Sequence, residues 1–220
     1  KTMGYRACFV ALGLFQSDEE AAAWPRFKGT QPTAGDVKYA DLNNDGIMDE
    51  RDKKVVSPYS NTPEIMFGLN LSASWKGFDF SALFQGAANR NVMLSGFATQ
   101  MFINGASNLP KYLYEDHWTP DNRDARYPKA WGPDHPSNNK SSTFWLINGN
   151  YVRLKNVELG YSISKDLLSR VGVDRLRIYV GGSNLFSIDH MPGYDPEKQD
   201  GGPNYYPQQR VFNMGVNITF

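Results

Sequence analysis

The stretch from Glu64 to Ala88 decides the fold of this chain and reads EIMFGLNLSASWKGFDFSALFQGAA. In its first half the odd-numbered positions from Ile65 to Trp75 are all apolar, and mostly small or polar residues lie between them. After Lys76-Gly77 the same alternation resumes at Phe78. Because side chains alternate between the two faces of a strand, this period of two predicts a hairpin with strands over about 64–75 and 78–88.

The length of these two runs indicates a membrane setting. Each run has about 10 to 11 residues, whereas soluble strands average about 5 to 6 and membrane-spanning β-strands about 9 to 11. Trp75 and Phe78 lie beside the turn, where an aromatic girdle would meet the bilayer interface. A soluble sandwich strand also alternates, so both settings stay open on these residues, with the transmembrane hairpin favoured.

The composition limits the function classes. Among 220 residues, 23 Lys and Arg balance 23 Asp and Glu, so net charge gives no reason to expect a nucleic-acid partner. Cys8 is the only cysteine and forms no internal disulfide. The mean hydropathy is −0.52, and no apolar run approaches the about 20 residues that a transmembrane helix needs.

The rest of the chain is predicted to continue the β-structure between long loops. We expect a short helix from Ser17 to about Trp24, a helical turn within 164–174, and further strands over 144–163, 175–188 and 210–220, with a β-bulge near Asn156. Short and long connections then alternate, as they do in outer-membrane barrels, which have short periplasmic turns and long extracellular loops. This alternation predicts that 1–63, 89–143 and 189–208 are extracellular and that 64–220 carries the barrel strands.

A series of short motifs carries a family resemblance. In order, they are Gly35-Asp-Val-Lys-Tyr-Ala-Asp-Leu-Asn-Asn-Asp-Gly46, Phe67-Gly-Leu-Asn-Leu71, Lys76-Gly-Phe-Asp-Phe80, Phe84-Gln-Gly86, Trp118-Thr-Pro120, Tyr151-Val-Arg-Leu-Lys-Asn156, Leu159-Gly-Tyr161, Leu176-Arg-Ile-Tyr-Val180, Asn184-Leu-Phe186, Gly193-Tyr-Asp-Pro196 and Val216-Asn-Ile-Thr-Phe220. From about Gly13 to the last residue the chain resembles the C-terminal part of SusC/RagA-type TonB-dependent outer-membrane transporters of Bacteroidetes.

The resemblance implies a fold, a location and partners. It implies an all-β chain that supplies the C-terminal antiparallel strands of a barrel of about 22 strands. It also implies an importer of glycans or peptides in the outer-membrane lipid, with a SusD-like surface lipoprotein as a lid. This chain has no plug domain and only about five strands, which cannot close a barrel without unpaired edges in lipid. We therefore expect a missing N-terminal part to complete the barrel and to contact the TonB complex.

The sharpest local signal is an acidic stretch with the spacing of a calcium loop. Oxygen ligands at positions 1, 3, 5, 9 and 12, a backbone carbonyl at 7 and a glycine at 6 suit a hard cation that takes six to eight oxygens. The alternative is a polar turn rich in Asn and Asp. The predicted structural calcium ligands are Asp41, Asn43, Asp45, the carbonyl of Ile47, Asp49 and Asp52.

No catalytic constellation is visible, so no catalytic residues and no enzyme activity are predicted. His117, His135 and His190 lack a paired nucleophile and are expected to be solvated, and Asp195 and Glu197 are expected to form a turn. The alternative function is a calcium-stabilised cell-surface β-module or adhesin. Loop aromatics either pack the loops together or contact a translocating substrate. The candidate substrate contacts are Tyr112, Trp118, Trp131, Tyr194 and Tyr205.

Overall fold

The computed structural model describes residues 5–102, 108–131, 135, 137–164, 168, 172–198 and 208–220. The chain divides into two compact units. We call Glu64–Asn89, Gly149–His190 and Tyr206–Phe220 the sheet unit, and Lys1–Pro63, Arg90–Asn148 and Met191–Tyr205 the loop unit. Each unit therefore draws on three separate segments of the chain.

The described residues form thirteen strands and two α-helices. In chain order they are β1 (Arg6–Phe9), β2 (Ala11–Leu14), α1 (Asp18–Ala23), β3 (Arg26–Phe27), β4 (Val37–Tyr39), β5 (Ile47–Met48), β6 (Lys53–Ser57), β7 (Ile65–Trp75), β8 (Phe78–Ala88), β9 (Asn91–Met93), α2 (Lys111–Glu115), β10 (Leu146–Asn148), β11 (Tyr151–Ser162), β12 (Arg175–Ile188) and β13 (Val211–Thr219). Short 3₁₀ helices occupy Glu50–Asp52 and Gly96–Ala98.

The sheet unit is an antiparallel meander of five long strands. Their spatial order, β13-β12-β11-β8-β7, follows the order of the chain. The predicted hairpin is confirmed, because Trp75 pairs with Phe78 across a two-residue turn. Lys76 (φ 46°) and Gly77 (φ 86°) both have positive φ, as a type I′ turn requires, and such a turn matches the twist of the flanking strands.

The predicted bulge is present in β11. The pairing of β11 shifts register between Leu154 and Asn156 against both β8 and β12. Relative to β8, Lys155 is one extra residue, so the side chains that share a face have even numbers up to Leu154 and odd numbers from Val157 onward. The bulge thus explains how one strand carries two phases of apolar residues.

The loop unit is held by short strand pairs around an aromatic core. Pairs form between β1 and β6, β2 and β4, β3 and β5, and β9 and β10. A smaller hydrophobic cluster, separate from the main core, contains the buried residues Phe9, Val37, Tyr39 and Met48. Phe27 packs against it, and the rings of Phe9 and Phe27 meet edge to face with their centroids 5.1 Å apart. The buried residues of the main core are Cys8, Val92, Met93, Leu94, Ala98, Met101, Leu113, Tyr127, Trp131, Trp145 and Met191.

Several local predictions are confirmed and others need correction. Helix α1 forms as expected, with the Ser17 hydroxyl accepting from the Glu20 amide at 3.2 Å. The strand expected over 144–163 is confirmed for β11 but needs one correction: its first part is a separate strand, β10, which pairs in the loop unit, while β11 pairs in the sheet unit. Strands β1 to β6 were not predicted, because runs of two to five residues are too short to show a period. The expected helical turn at 164–174 falls largely outside the described residues.

Candidate functional site

Apolar rows run across the whole sheet on one face. The pairing places Ala73, Phe80, Leu159, Val180 and Met214 side by side in one row, with one residue from each strand. The next apolar row lies beside the hairpin turn and consists of Trp75, Phe78, Tyr161, Ile178 and Val216. The alternation noted in the hairpin therefore extends through all five strands.

This apolar face is exposed. Leu159, Val180 and Met214 keep 47%, 53% and 84% of their surface accessible. A contiguous apolar surface of this kind is rare on a protein that faces water on all sides and marks contact with another protein or with lipid. Aromatic side chains concentrate in the row beside the turn, where Phe78 and Tyr161 lie 4.6 Å apart. Aromatic rings flanking an apolar band are typical of a membrane-facing barrel wall.

The opposite face of the sheet is polar. Its ion-pair cluster joins Arg177 on β12 to Glu158 on β11 and to Asp79 on β8. Arg177 Nε donates to Asp79 Oδ2 at 2.9 Å, and Nη2 donates to Glu158 Oε1 at 2.6 Å. Gly160 on β11 lies beneath the Arg177 side chain, and a Cβ at Gly160 would overlap the Arg177 guanidinium. The sheet thus has one face suited to lipid and one suited to a polar interior.

No helix among the described residues is long and apolar enough to cross a membrane.

The acidic stretch at 41–52 folds as a tight turn. Asp41 accepts from the amides of Asn44 and Gly46 at 2.7 and 2.9 Å, and Asp45 accepts from the amide of Ile47 at 3.0 Å. Asn44 (φ 58°) and Gly46 (φ 80°) adopt the left-handed conformation that such a turn needs. The segment has the sharp bend at glycine that the spacing predicted.

The charges in this turn are partly balanced within it. Arg51 Nη2 lies 2.6 Å from Asp45 Oδ2 and 2.8 Å from Asp49 Oδ2. The hydrogen bond from Arg51 holds the pKa of Asp49 below its usual range. Asp52 is fully buried and accepts from the amides of Leu42 and Asp49. Among the described residues no group of three or more carboxylate, imidazole or thiol side chains is gathered to hold a metal ion.

The donor set nevertheless fits calcium in its chemistry. Carboxylate and amide oxygens lie at the required positions, and a backbone carbonyl is available at Ile47. Two features oppose a cation. The Arg51 guanidinium contacts two of the predicted ligands, and both carboxylate oxygens of the buried Asp52 accept from backbone amides. Calcium at this turn would therefore need Arg51 to release Asp45 and Asp49.

Two of the predicted substrate contacts lie together in the loop unit. Tyr112 on α2 and Tyr194 place their hydroxyl oxygens 3.3 Å apart and their rings edge to face at 5.8 Å. They border a cleft of about 500 Å³, a volume within the range of ligand sites. The residues lining the cleft are Phe97, Asn108, Leu109, Pro110, Lys111, Tyr112, Pro192, Gly193 and Tyr194.

The remaining candidate aromatics are not brought to this cleft. Trp118 and Trp131 keep only 8% and 5% of their surface accessible, and Trp131 belongs to the main core of the loop unit. The burial of Trp118 and Trp131 indicates that they pack the loops together, which is the alternative to a substrate contact that the sequence left open. Tyr205 lies outside the described residues. The expected turn at Asp195 is present, since its Oδ1 accepts from the Glu197 amide at 2.8 Å.

A buried polar network in the loop unit was not predicted. Asp36 is 1% exposed, and its Oδ1 lies 3.3 Å from His135 Nε2 and accepts from Asn138 Nδ2 at 2.9 Å. Burial opposes ionisation of Asp36, but hydrogen bonds from His135 and the Thr33 amide outweigh it and lower the pKa. His135 is therefore not the solvated loop histidine that we expected. Nothing in its local sequence points to a partner a hundred residues away.

Arg90 is a second residue that the sequence did not single out. It is 3% exposed and donates from Nη1 to the carbonyl of Pro196 at 2.8 Å and from Nη2 to the carbonyl of Lys198 at 2.6 Å. These two bonds fix the segment that follows Tyr194. Arg90 thus supports one wall of the cleft without lining it.

Comparison with known proteins gives relatives over almost the whole chain. It is similar to TonB-dependent receptor P26 of Formosa agariphila, with 31% identity over 95% of this chain and 22% of the relative. TonB-dependent receptor P3 of the same organism is 27% identical over 94% of this chain and 21% of its own length. TonB-dependent receptor SusC of Bacteroides thetaiotaomicron is 24% identical over 83% of this chain and 17% of its own length. No family model matches the chain.

Solved structures give the same result for the fold. The RagAB peptide transporter aligns with a TM-score of 0.69 at 21% identity, covering 98% of this chain and 22% of that chain. The RagAB peptide importer in its open-open state aligns with a TM-score of 0.68. This chain thus spans about a fifth of the length of the proteins that it matches.

These relatives are named as receptors and not as enzymes, which confirms the expectation that no catalytic activity resides here. The exposed apolar rows of the sheet are what the outer wall of such a barrel requires. In sequence and fold, the chain resembles the C-terminal barrel segment of SusC/RagA-type TonB-dependent receptors, and its location is the outer membrane.

Proposed function

We propose that this chain forms part of the barrel wall of an active importer that takes up glycans or peptides. The observation that carries the proposal is the sheet with one exposed apolar face and one polar face, found in a chain related to TonB-dependent receptors. In a barrel, the polar face lines the interior through which a solute passes. The names of the RagAB structures, a peptide importer and a peptide transporter, support this function.

Energised uptake distinguishes an importer from a surface adhesin. Cells carrying the native protein are given labelled oligopeptides or oligosaccharides, and surface binding and accumulation are measured separately. A protonophore should abolish accumulation and leave surface binding unchanged, since TonB-dependent uptake draws on the inner-membrane proton gradient. Accumulation that continues with the protonophore, or no accumulation in any condition while binding persists, would contradict import.

We also propose a SusD-like surface lipoprotein as partner and contact with the TonB complex through a part of the protein outside this chain. Similarity to SusC and to RagAB supports both partners. The native protein, extracted in mild detergent, should co-purify with a lipoprotein of this kind in a fixed ratio. A protein that remains single after extraction under several mild conditions would count against the lid.

Tyr112 and Tyr194 are proposed as substrate contacts. Both border the same cleft, whereas Trp118 and Trp131 are packed in the loop unit. An aromatic ring offers a large contact area at low entropic cost, which suits a substrate side chain or sugar ring. Replacing Tyr194 with Ala should weaken substrate binding, and replacing it with Phe should preserve most of it.

Structural calcium at 41–52 is a further proposal. The loop bends at Gly46 as required, and oxygen atoms of Asp41, Asn43 and Asp45 lie within the bend. Extracellular modules bind calcium with Kd values of about 10⁻⁴ to 10⁻³ M, which is sufficient at millimolar calcium. The ion would brace the loop unit and take no part in chemistry.

Limited proteolysis tests this proposal. A chelator should increase cleavage between Gly35 and Pro58 in the native protein, and Asp45→Ala should give the same increase without chelator. Thr62→Ala, outside the loop, is the matched control. Equal cleavage with and without chelator in the unmutated protein would show that the segment is only a polar turn.

A further inference from the structure

We propose that the cleft beside Tyr112 and Tyr194 binds the carboxyl-terminal end of a peptide, with a large apolar or aromatic side chain in the cleft and the terminal carboxylate at Lys111. The inference rests on the proposed import function and names the substrate class for it. It depends on three properties of the cleft: the apolar residues that line it, the few polar side chains that it offers to a ligand, and its charge.

The lining suits an apolar side chain. Phe97, Leu109, Pro110 and Pro192 supply aliphatic and aromatic surface to the cleft. A volume of about 500 Å³ is ample for one large side chain and part of the adjoining backbone. Burying a Phe or Leu side chain in such a site is favourable because it removes apolar surface from water.

The hydrogen-bonding groups of the cleft argue against a sugar. The Tyr112 hydroxyl donates to the Ala98 carbonyl, and the Tyr194 hydroxyl lies 3.3 Å from that of Tyr112. Both hydroxyl protons are thereby engaged inside the protein, which leaves Asn108 and Lys111 as the other polar side chains among the described lining. A sugar ring presents several hydroxyls, and each one that is buried without a partner loses free energy.

The charge of the cleft suits a carboxylate. Lys111 is the one charged side chain among the described lining residues, and it lies at the first residue of α2. Its present partner is Glu115 at 3.3 Å, with the two side chains 84% and 56% exposed. An exposed pair of this kind is weak, so a ligand carboxylate can replace Glu115 at little cost.

The Tyr194 side of the cleft is fixed before any ligand arrives. Arg90 binds the carbonyls of Pro196 and Lys198, and the Gly193 amide donates to the Met191 carbonyl at 2.8 Å. A preformed wall reduces the ordering cost of binding. Arg90 therefore holds the backbone two and four residues after Tyr194.

Direct binding to the purified native protein in detergent tests the inference. The three probes are N-acetyl-Ala-Phe with a free carboxylate, its carboxyl-terminal amide, and maltotriose, each measured by calorimetry. We expect the acid to bind, the amide to bind several-fold more weakly, and maltotriose to give no signal. Tyr194→Ala should weaken binding of the peptide acid by about tenfold or more, because the contact area of one aromatic side chain is lost.

Matched variants separate contact from general damage. Lys111→Gln should bring the affinity for the acid to that for the amide, and because this residue is exposed it leaves the core of the loop unit intact. Tyr114→Ala, on the same helix but 64% exposed and outside the cleft, should have no effect. Maltotriose binding that Tyr194→Ala abolishes, or acid binding that neither Tyr194→Ala nor Lys111→Gln alters, would overturn the inference.

The experiments distinguish failure of the peptide site from failure of the import function. Calorimetry on the purified protein needs no energy source, so intact peptide binding without accumulation in cells would defeat the import function alone. Accumulation in cells with no effect of the cleft variants on binding would defeat the peptide site alone.

Discussion

The guanidinium of Arg177 lies over the α-carbon of Gly160. This position lets a side chain from β12 pass across β11 and bind Asp79 on β8. Three strands of the polar face are thus joined by one residue, and the absence of a side chain at Gly160 makes the crossing possible.

We therefore expect Gly160→Ala to displace Arg177 and to lower the denaturant midpoint of the native protein. Combining Gly160→Ala with Arg177→Ala should add little to either change alone, because both act through one contact. Gly68→Ala is the control, since a Cβ there meets only the Phe84 carbonyl at 3.8 Å. Additive effects of the Gly160 and Arg177 changes would show that they are independent.

Charge on the two faces of the sheet should have unequal effects. Leu71→Arg places a cation on the apolar face near the middle of β7, in the row of Ala82, and should destabilise the barrel by about 2 to 4 kcal/mol, as expected near the bilayer midplane. Ser81→Arg, on the polar face and in the adjoining row, should be far milder. Folding from detergent into lipid measures both. Equal sensitivity would mean that the apolar face does not contact lipid.

The Asp36 network should make the loop unit sensitive to acid. Because the folded pKa of Asp36 is lowered, its contribution is fully present above the pKa of about 3.9 of an ordinary aspartate and is lost as the pH falls through the folded value. Asp36→Asn removes the charge and should cost about 1.5 to 3 kcal/mol at neutral pH.

Protease susceptibility of the loop unit against pH measures this effect. The Asp36→Asn variant should be more susceptible at pH 7 and should lose part of the acid dependence. The exposed Asp121→Asn is the control. A variant with an unchanged acid profile would show that other groups set the acid stability.

Arg51 should weaken calcium binding at 41–52. Its guanidinium forms ion pairs with Asp45 and Asp49, so Arg51→Ala should free both carboxylates and lower the calcium Kd several-fold. Lys53→Ala, whose side chain pairs with Glu50 instead, is the control. Calorimetric titration with calcium measures the Kd of each variant. A weaker calcium affinity in Arg51→Ala than in the unmutated protein would mean that the guanidinium organises the site.

The strands of the sheet unit could be predicted from sequence because each is long enough to show its period. Val211–Thr219 and Arg175–Ile188 lie close to their expected bounds, and the bulge at Lys155 appeared as a change of phase. The alternation is easy to see in these strands, since one face of the sheet is apolar and the other polar along most of the strand length.

The loop unit could not be predicted in the same way. Its core joins residues far apart in the chain, such as Cys8 and Trp145, and its strands are too short for a period to emerge. The Asp36–His135 contact and the Arg90 bonds are set by tertiary structure alone. Among the candidate aromatics, sequence could not distinguish Tyr112 and Tyr194 at a cleft from Trp118 and Trp131 in packed surroundings, because all four have prolines or glycines nearby in sequence and none lies in a periodic pattern.

The three-part construction of the loop unit has a consequence for biosynthesis. Arg90 binds a carbonyl 108 residues further along the chain, and strands β11 and β12 lie between them in sequence. Contacts that close such long stretches form slowly, since their entropic cost comes before any gain. The loop unit is therefore expected to mature only after most of this chain has emerged, and its early segments depend until then on protection from aggregation and proteolysis.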